Sequence, residues 1–377
     1  MVEVHPRFAE PIHVGRPNIA NRDLFLSLVE SALDRRWLSN DGPLVRELET
    51  KIAAHLGVKH CVATTNGTIA LEIACKAVGL TGEVIVPSWT FVATVHALQW
   101  HGLTPVFADI DPLTHCIDPA SVRDRITERT SGILAVHLWG QPAAVDELQA
   151  IADENGLRLL YDAAHAFGAS VDTRMVGQFG DAEVLSFHAT KFFNTLEGGA
   201  VVTNSDEIAQ RARLMRNFGF MGEDNVVSVG TNGKMSEVSA AMGLANFEGL
   251  GDLVAINRRN YDEYRAALAD VHGVHVLSIG DSGDSNYQYV VLIVEDKCRV
   301  ARDDILAALR EHNVLARRYF WPACHRMEPY SSLQPGVGAQ LPQTERIAEQ
   351  VIVLPTGTAV SPESIRAISA IIANAAN

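Results

Sequence analysis

Arg158-Leu159-Leu160-Tyr161-Asp162-Ala163-Ala164-His165 sets a short apolar run directly before a carboxylate, two alanines and an imidazole. A run this short, apolar without alternation, reads as a strand buried on both faces. Six similar runs flank it, at 61–65, 83–87, 105–110, 132–138, 182–187 and 199–203. Helical patterns separate them, the clearest over 44–56, where Leu44, Leu48, Ile52 and Leu56 recur on one face. This alternation predicts an α/β fold with a mostly parallel seven-stranded sheet between helices. From Met235 to about Val271 the pattern becomes one long helical stretch, followed by strand-like runs at 274–277 and 287–294. A smaller C-terminal α+β unit is therefore expected, dividing the chain into domains 1–250 and 251–377. Ser361-Pro362 offers an N-cap and a first helical proline, so a helix should close the chain.

Composition narrows the function. The 377 residues, 47% of them hydrophobic, suffice for two cores, and the net charge of -14 opposes nonspecific attraction to nucleic acid or to an anionic membrane. Cys61, Cys75, Cys116, Cys298 and Cys324 are widely spaced and odd in number, which suggests neither a disulfide framework nor a zinc ribbon. Met1-Val2-Glu3-Val4-His5-Pro6-Arg7 lacks the basic flank and apolar run of a secretion signal, and no later stretch is long enough to span a bilayer. A cytoplasmic protein is expected. The 14 histidines include no His-Glu-x-x-His motif, no Gly-x-Gly-x-x-Gly follows a strand, and no Gly-x-Ser-x-Gly elbow occurs. Metal hydrolase, dehydrogenase and serine hydrolase readings thus lack a site.

Two residues carry the chemistry that remains. Lys191 ends Ser186-Phe187-His188-Ala189-Thr190-Lys191, between an apolar strand and Gly198-Gly199. A lysine placed where burial lowers its pKa has a free amine able to attack a carbonyl. About thirty residues upstream, Asp162 ends its strand. Pyridoxal phosphate needs such a carboxylate to keep its pyridine nitrogen protonated and the ring an electron sink. In isolation Asp162 reads better as a turn or helix cap and His165 as a satisfied core histidine; together with Lys191 the balance shifts.

With these residues in hand, the chain resembles the DegT/DnrJ/EryC1/StrS sugar aminotransferases, pyridoxal-phosphate enzymes of fold type I. The likeness runs over nearly the whole length. Its anchors are Gly42-Pro43, Asn66-Gly67-Thr68, Pro87-Ser88-Trp89-Thr90-Phe91, Asp109-Ile110-Asp111, His137-Leu138-Trp139-Gly140, Asp162-Ala163-Ala164-His165, Ser186 through Lys191, and Gly230-Thr231-Asn232-Gly233-Lys234. Val14-Gly15-Arg16-Pro17-Asn18, Trp37-Leu38 and His188-Ala189-Thr190-Lys191 look most like the branch that aminates dTDP-4-keto-6-deoxy-D-glucose at C4, in deoxysugar pathways such as those of antibiotics.

The resemblance implies roles for single residues. Lys191 would hold the resting cofactor and Asp162 its ring nitrogen, with His165 beside the ring. Gly67, Thr68 and Ser186 would bind the cofactor phosphate; the turn before a helix supplies backbone amides there. Phe91, which follows the threonine as in the family pattern, would stack on the pyridine ring. Asn232 would reach the cofactor phosphate of the other subunit of a homodimer with shared sites. Its segment also has a faint P-loop look, but Met235 stands where serine or threonine is required and Ser228 where the first glycine belongs. Trp89, Lys234, Tyr319 and His325 are the substrate candidates, the last two from a C-terminal stretch rich in cations and aromatics that suits a diphosphate and a thymine or sugar face.

The implied reaction runs in two halves: L-glutamate leaves as 2-oxoglutarate with the cofactor held as pyridoxamine phosphate, and the keto sugar then takes the amine as dTDP-4-amino-4,6-dideoxy-D-glucose. Some relatives replace the lysine with histidine and become dehydratases, so Lys191 argues for transamination. Three rival readings remain: a 3-keto substrate, the galacto epimer as product, and a noncatalytic regulatory or binding protein on the same fold.

Overall fold

In the computed structural model the described residues are 6–279 and 284–377; the reading of Met1-Val2-Glu3-Val4-His5 lies outside them. The seven apolar runs form one sheet from strands His60–Thr64 (β1), Glu83–Pro87 (β2), Thr104–Ala108 (β3), Thr130–Val136 (β4), Arg158–Asp162 (β5), Ala182–Ser186 (β6) and Gly199–Thr203 (β7). Their order is β1-β7-β6-β5-β4-β2-β3. Only β7 runs against its neighbours. The carboxyl ends of the other six strands therefore share one edge, and ligands of open α/β sheets gather at that edge.

The helix Pro43–Leu56 buries the stripe Leu44, Leu48, Ile52 and Leu56, with proline in its first turn and Gly57 ending it in left-handed geometry. A second, antiparallel sheet joins Val274–Val276 (β8), Val290–Val294 (β9) and Val351–Leu354 (β10) in that order. The closing helix, Pro362–Ala376, is capped by Ser361, whose side chain accepts from Ser364 N–H. Near the other end of the chain, Ile12 and His13 pair with Val314 and Leu315.

Two expectations need correction. The stretch expected as one helix from Met235 is two, Glu237–Phe247 and Leu250–Leu268. Gly249 separates them: a poor helix former, it sits where an added Cβ would meet Ala20 Cβ at 2.6 Å. The strand expected over 287–294 begins only at Val290. Tyr287 adopts φ 50°, and Asn286 Nδ2 turns to donate to the carbonyls of His165 (2.8 Å) and Phe167 (3.1 Å). Docking against the turn after β5 thus replaces ladder bonds.

A buried ion network supports the β1 edge. Arg216 donates to Glu49 Oε1 (2.5 Å) and to Ala63 O (2.8 Å), while Arg213 donates to Glu49 Oε2 (3.1 Å). Glu49 also accepts from Ala63 N–H. Arg216→Leu should cost about 3 kcal/mol in urea unfolding, because it leaves a buried carboxylate short of one cation; a loss under about 0.5 kcal/mol would remove this network from the account.

Candidate active site

At the shared edge a cavity of about 460 Å³ is lined by residues from several strand ends: Asn66, Gly67 and Thr68 after β1, Thr90 and Phe91 after β2, Asp162 and His165 at β5, and Ser186 and Lys191 at β6. Tyr289, Tyr319 and Phe320 close it from the C-terminal part of the chain.

Asp162 is the most constrained of these groups. Its Oδ2 accepts from Thr94 Oγ1 at 2.7 Å and its Oδ1 from Ala164 N–H at 3.0 Å. The residue therefore caps its own turn and still keeps a carboxylate at the cavity. Burial pushes its pKa up, while the Thr94 and Ala164 bonds and the charge on Lys191 oppose the rise. Lys191 donates to Tyr289 Oη at 3.3 Å. Burial pulls its pKa from 10.5 to about 8, against the attraction of Asp162. The amine is thus free far more often than that of a surface lysine.

His165 is buried and neutral, its pKa driven well below the ordinary value by desolvation and then by Lys191. Its Nδ1 has no hydrogen-bond partner, so it is not a satisfied core histidine. Its ring packs beside the stacked pair Trp139 and Phe320, whose centroids are 6.0 and 5.8 Å away from it and 5.2 Å from each other.

The corner at the start of the helix after β1 is built by close backbone approach. Asn66 caps the helix Gly67–Val78 by accepting from Ile69 N–H at 2.9 Å. No cap side chain takes the amides of Gly67 and Thr68, in the first turn. A Cβ on Gly67 would meet Ser186 Cβ at 2.9 Å, and one on Gly199 would meet Gly67 N at 2.6 Å. Glycine at both positions lets Ser186 and the helix start face one another. An unpartnered imidazole nitrogen, a capped carboxylate, a depressed lysine and open helix-terminal amides form a donor set that fits pyridoxal phosphate.

Eight of the sequence-derived residues line this cavity: Gly67, Thr68, Phe91, Asp162, His165, Ser186, Lys191 and Tyr319. Trp89, Asn232, Lys234 and His325 are not among its lining residues. Trp89 is buried against Phe320, ring centroids 6.0 Å apart. Asn232 is exposed, on a segment whose Gly233 carbonyl accepts from Thr65 N–H at 2.8 Å, and Lys234 lies over the Phe218 ring at 4.6 Å.

His325 is enclosed in a buried relay. Ser88 Oγ accepts its backbone N–H at 3.0 Å and bonds Nδ1 at 2.7 Å, and Nε2 meets Glu345 Oε1 at 2.6 Å. Facing a carboxylate, Nε2 carries the proton. Sequence reasoning passed over Thr94 and Tyr289. Thr94 has a local signal, one helical turn after Thr90 and bonded to it at 2.8 Å; Tyr289 has none, because only the tertiary fold brings it to Lys191.

Residues 20–373 match the DegT/DnrJ/EryC1/StrS aminotransferase family. A Shigella dysenteriae protein named dTDP-4-amino-4,6-dideoxy-D-glucose transaminase is 39% identical over 360 residues, 95% of this chain and 97% of its own length. An Escherichia coli protein of the same name is 35% identical over 94% of this chain and 96% of its own. The crystal structure of DesI in the presence of its TDP-sugar product superposes with a TM-score of 0.94 at 49% identity, covering 99% of this chain and 94% of DesI. The chain belongs to the DegT/DnrJ/EryC1/StrS aminotransferase family.

Lys191 should react with a small aldehyde reagent at a rate that rises with pH and reaches half its limit near about 8. In Asp162→Asn, which removes the opposing charge, the midpoint should fall below that of the parent. A midpoint near the ordinary 10.5 would contradict the burial argument.

Proposed function

We propose that the protein is a pyridoxal-phosphate transaminase that moves the amino group of L-glutamate to C4 of dTDP-4-keto-6-deoxy-D-glucose, giving dTDP-4-amino-4,6-dideoxy-D-glucose and 2-oxoglutarate. The observation that carries this reading is the half-buried Lys191 amine in one cavity with the Asp162 carboxylate, where desolvation lowers the amine's pKa to about 8. A noncatalytic binding protein has no use for that pair. The names of the Shigella and Escherichia relatives and the TDP-sugar product of DesI support the substrate.

The bound cofactor supplies an electron sink that makes the donor's α-proton removable. Lys191 would hold the cofactor at rest and, as a free amine, would carry that proton as general base and then acid at Nζ. Asp162 would hold the proton on the ring nitrogen. The amides of Gly67 and Thr68, with the Ser186 hydroxyl, would bind the phosphate, and Phe91 would face the ring. His165 stays neutral on the Trp139 side and adds no charge that would compete with Lys191.

Two further cavities, of about 330 and 540 Å³, adjoin the first and share Tyr319 with it. Arg16 and Arg317 line the smaller, and Arg310, Arg317 and Arg318 the larger; neither has an aspartate or glutamate among its described lining residues. In a chain of net charge -14, such grooves suit the diphosphate of a nucleotide sugar, with Phe91 and Trp321 as aromatic faces.

A homodimer completes the proposal. The segment leading to Asn232 exposes Phe218, Phe220, Met221, Val226, Val227 and Val229, an apolar face that a second copy would cover. Asn232 would then reach the partner's phosphate corner. The five unpaired thiols suit the reducing cytoplasm.

Purified protein given pyridoxal phosphate, L-glutamate and dTDP-4-keto-6-deoxy-D-glucose should yield one aminated sugar, whose proton couplings in NMR place an equatorial amine at C4. An axial amine would rename the product as the galacto epimer. Turnover of the 3-keto isomer alone would overturn the substrate.

A further inference from the structure

We propose that Tyr289 is a catalytic residue of this transamination: its Oη holds one N–H of the Lys191 amine, aims the remaining lone pair into the cavity, and relays a proton between Nζ and a substrate oxygen. The inference rests on the transaminase reading and adds to it a residue from the C-terminal part of the chain.

The geometry starts from position. Tyr289 lines both the Lys191 cavity and the smaller arginine-lined one beside it, and it is 7% exposed. Nζ of Lys191 lies 3.3 Å from its Oη and 5.7 Å from its ring centre. Because Nζ donates in this contact, the amine's lone pair is left for a substrate. The Gln288 side chain also hydrogen-bonds the phenol and lowers its pKa, which is the effect of a donor, so with Lys191 Nζ donating as well the O–H proton is left for the substrate. Burial pushes the phenol's pKa upward, so Tyr289 keeps that proton throughout the range in which Lys191 titrates.

The ring is held on several sides. It packs at 4.6 Å on His165 and edge-on to Trp139 at 5.5 Å. The preceding backbone is pinned by Asn286, which donates to the carbonyls of His165 and Phe167, and Gln288 Oε1 accepts from Phe192 N–H at 3.4 Å. Those contacts fix Tyr289 to the two segments that carry His165 and Lys191. A phenol placed to do no more than fill space has no need of this registry.

The relay balances as a proton transfer alone. The Lys191 ammonium gives one proton to Oη while the O–H gives its own to the substrate oxygen, and the reverse path returns both. No oxidant or second reactant is required.

The test is Tyr289→Phe in the holoenzyme, which keeps the ring packing and deletes the oxygen. With L-glutamate alone, release of 2-oxoglutarate should slow about a hundredfold with KM for glutamate little changed. The isotope effect with α-deuterated glutamate should shrink, because the slowed step moves a proton to oxygen and not from the α-carbon. The Lys191 nitrogen, joined to the cofactor at rest, loses an acceptor for its protonated form, so the pH midpoint of the holoenzyme's visible absorbance band, read without substrate, should move to lower pH by about half a unit, a threefold change in the protonation constant. Difluorotyrosine at 289 restores an O–H and should recover most of the rate, which mere ring packing would not require.

If the parent protein turns over glutamate and Tyr289→Phe matches it in rate, isotope effect and absorbance midpoint, the relay is wrong and the transaminase stands. If Tyr289→Phe proves insoluble, a difluorotyrosine protein with an unshifted pH profile overturns the relay equally. A parent that releases no 2-oxoglutarate overturns the transaminase reading first, and the relay with it.

Discussion

One buried carboxylate organises the site. Asp162 ends β5 at the edge where six strand ends meet, and burial there makes its charge costly. The structure meets that cost with a hydroxyl from the helix after β2, an amide from its own turn and the nearby charge of Lys191. Each stabilising group also places something else: Thr94 fixes the helix that begins just after Phe91, and the turn through Ala164 presents His165. Lys191 is drawn in opposite directions, toward the neutral amine by desolvation and toward the ammonium by Asp162. Its position near 8 is the balance of the two.

The sheet delivers these groups, and close packing sets their spacing. Gly67 and Gly199 allow the start of a helix, the end of β6 and the start of β7 to approach within distances that a side chain forbids. The C-terminal segments then close the cavity through Tyr289, Tyr319 and Phe320. The Ser88–His325–Glu345 relay ties the segment after Phe320 to the loop after β2, and Cys324 N–H adds a bond to Ser88 O at 3.0 Å. His325 is thereby a tie between the two halves of the wall, and its imidazole is already engaged on both nitrogens.

The sheet and the first half of the site were legible in the sequence because they are local. Uninterrupted apolar runs mark buried strands, and a residue that directly follows such a run, such as Asp162 or Asn66, falls at the edge without knowledge of the tertiary fold. The break at Gly249 was hidden inside a continuous helical period, because a lone glycine in such a period is often tolerated and the close approach of Ala20 that calls for a glycine there is not a local signal. Tyr289 and the enclosure of His325 were illegible for the same reason: their partners lie 98 and 237 residues away in the chain. Trp89 shows the limit in the other direction, two residues from Phe91 yet turned into the core while Phe91 stays 55% exposed.

The central claim, that Lys191 is the amine that carries the cofactor, is tested most directly by borohydride reduction of the pyridoxal-phosphate-loaded protein followed by peptide mass mapping. The account predicts one added cofactor mass per chain, on the peptide containing Lys191. The same mass on Lys234 or another lysine, with Lys191 unmodified, would contradict it.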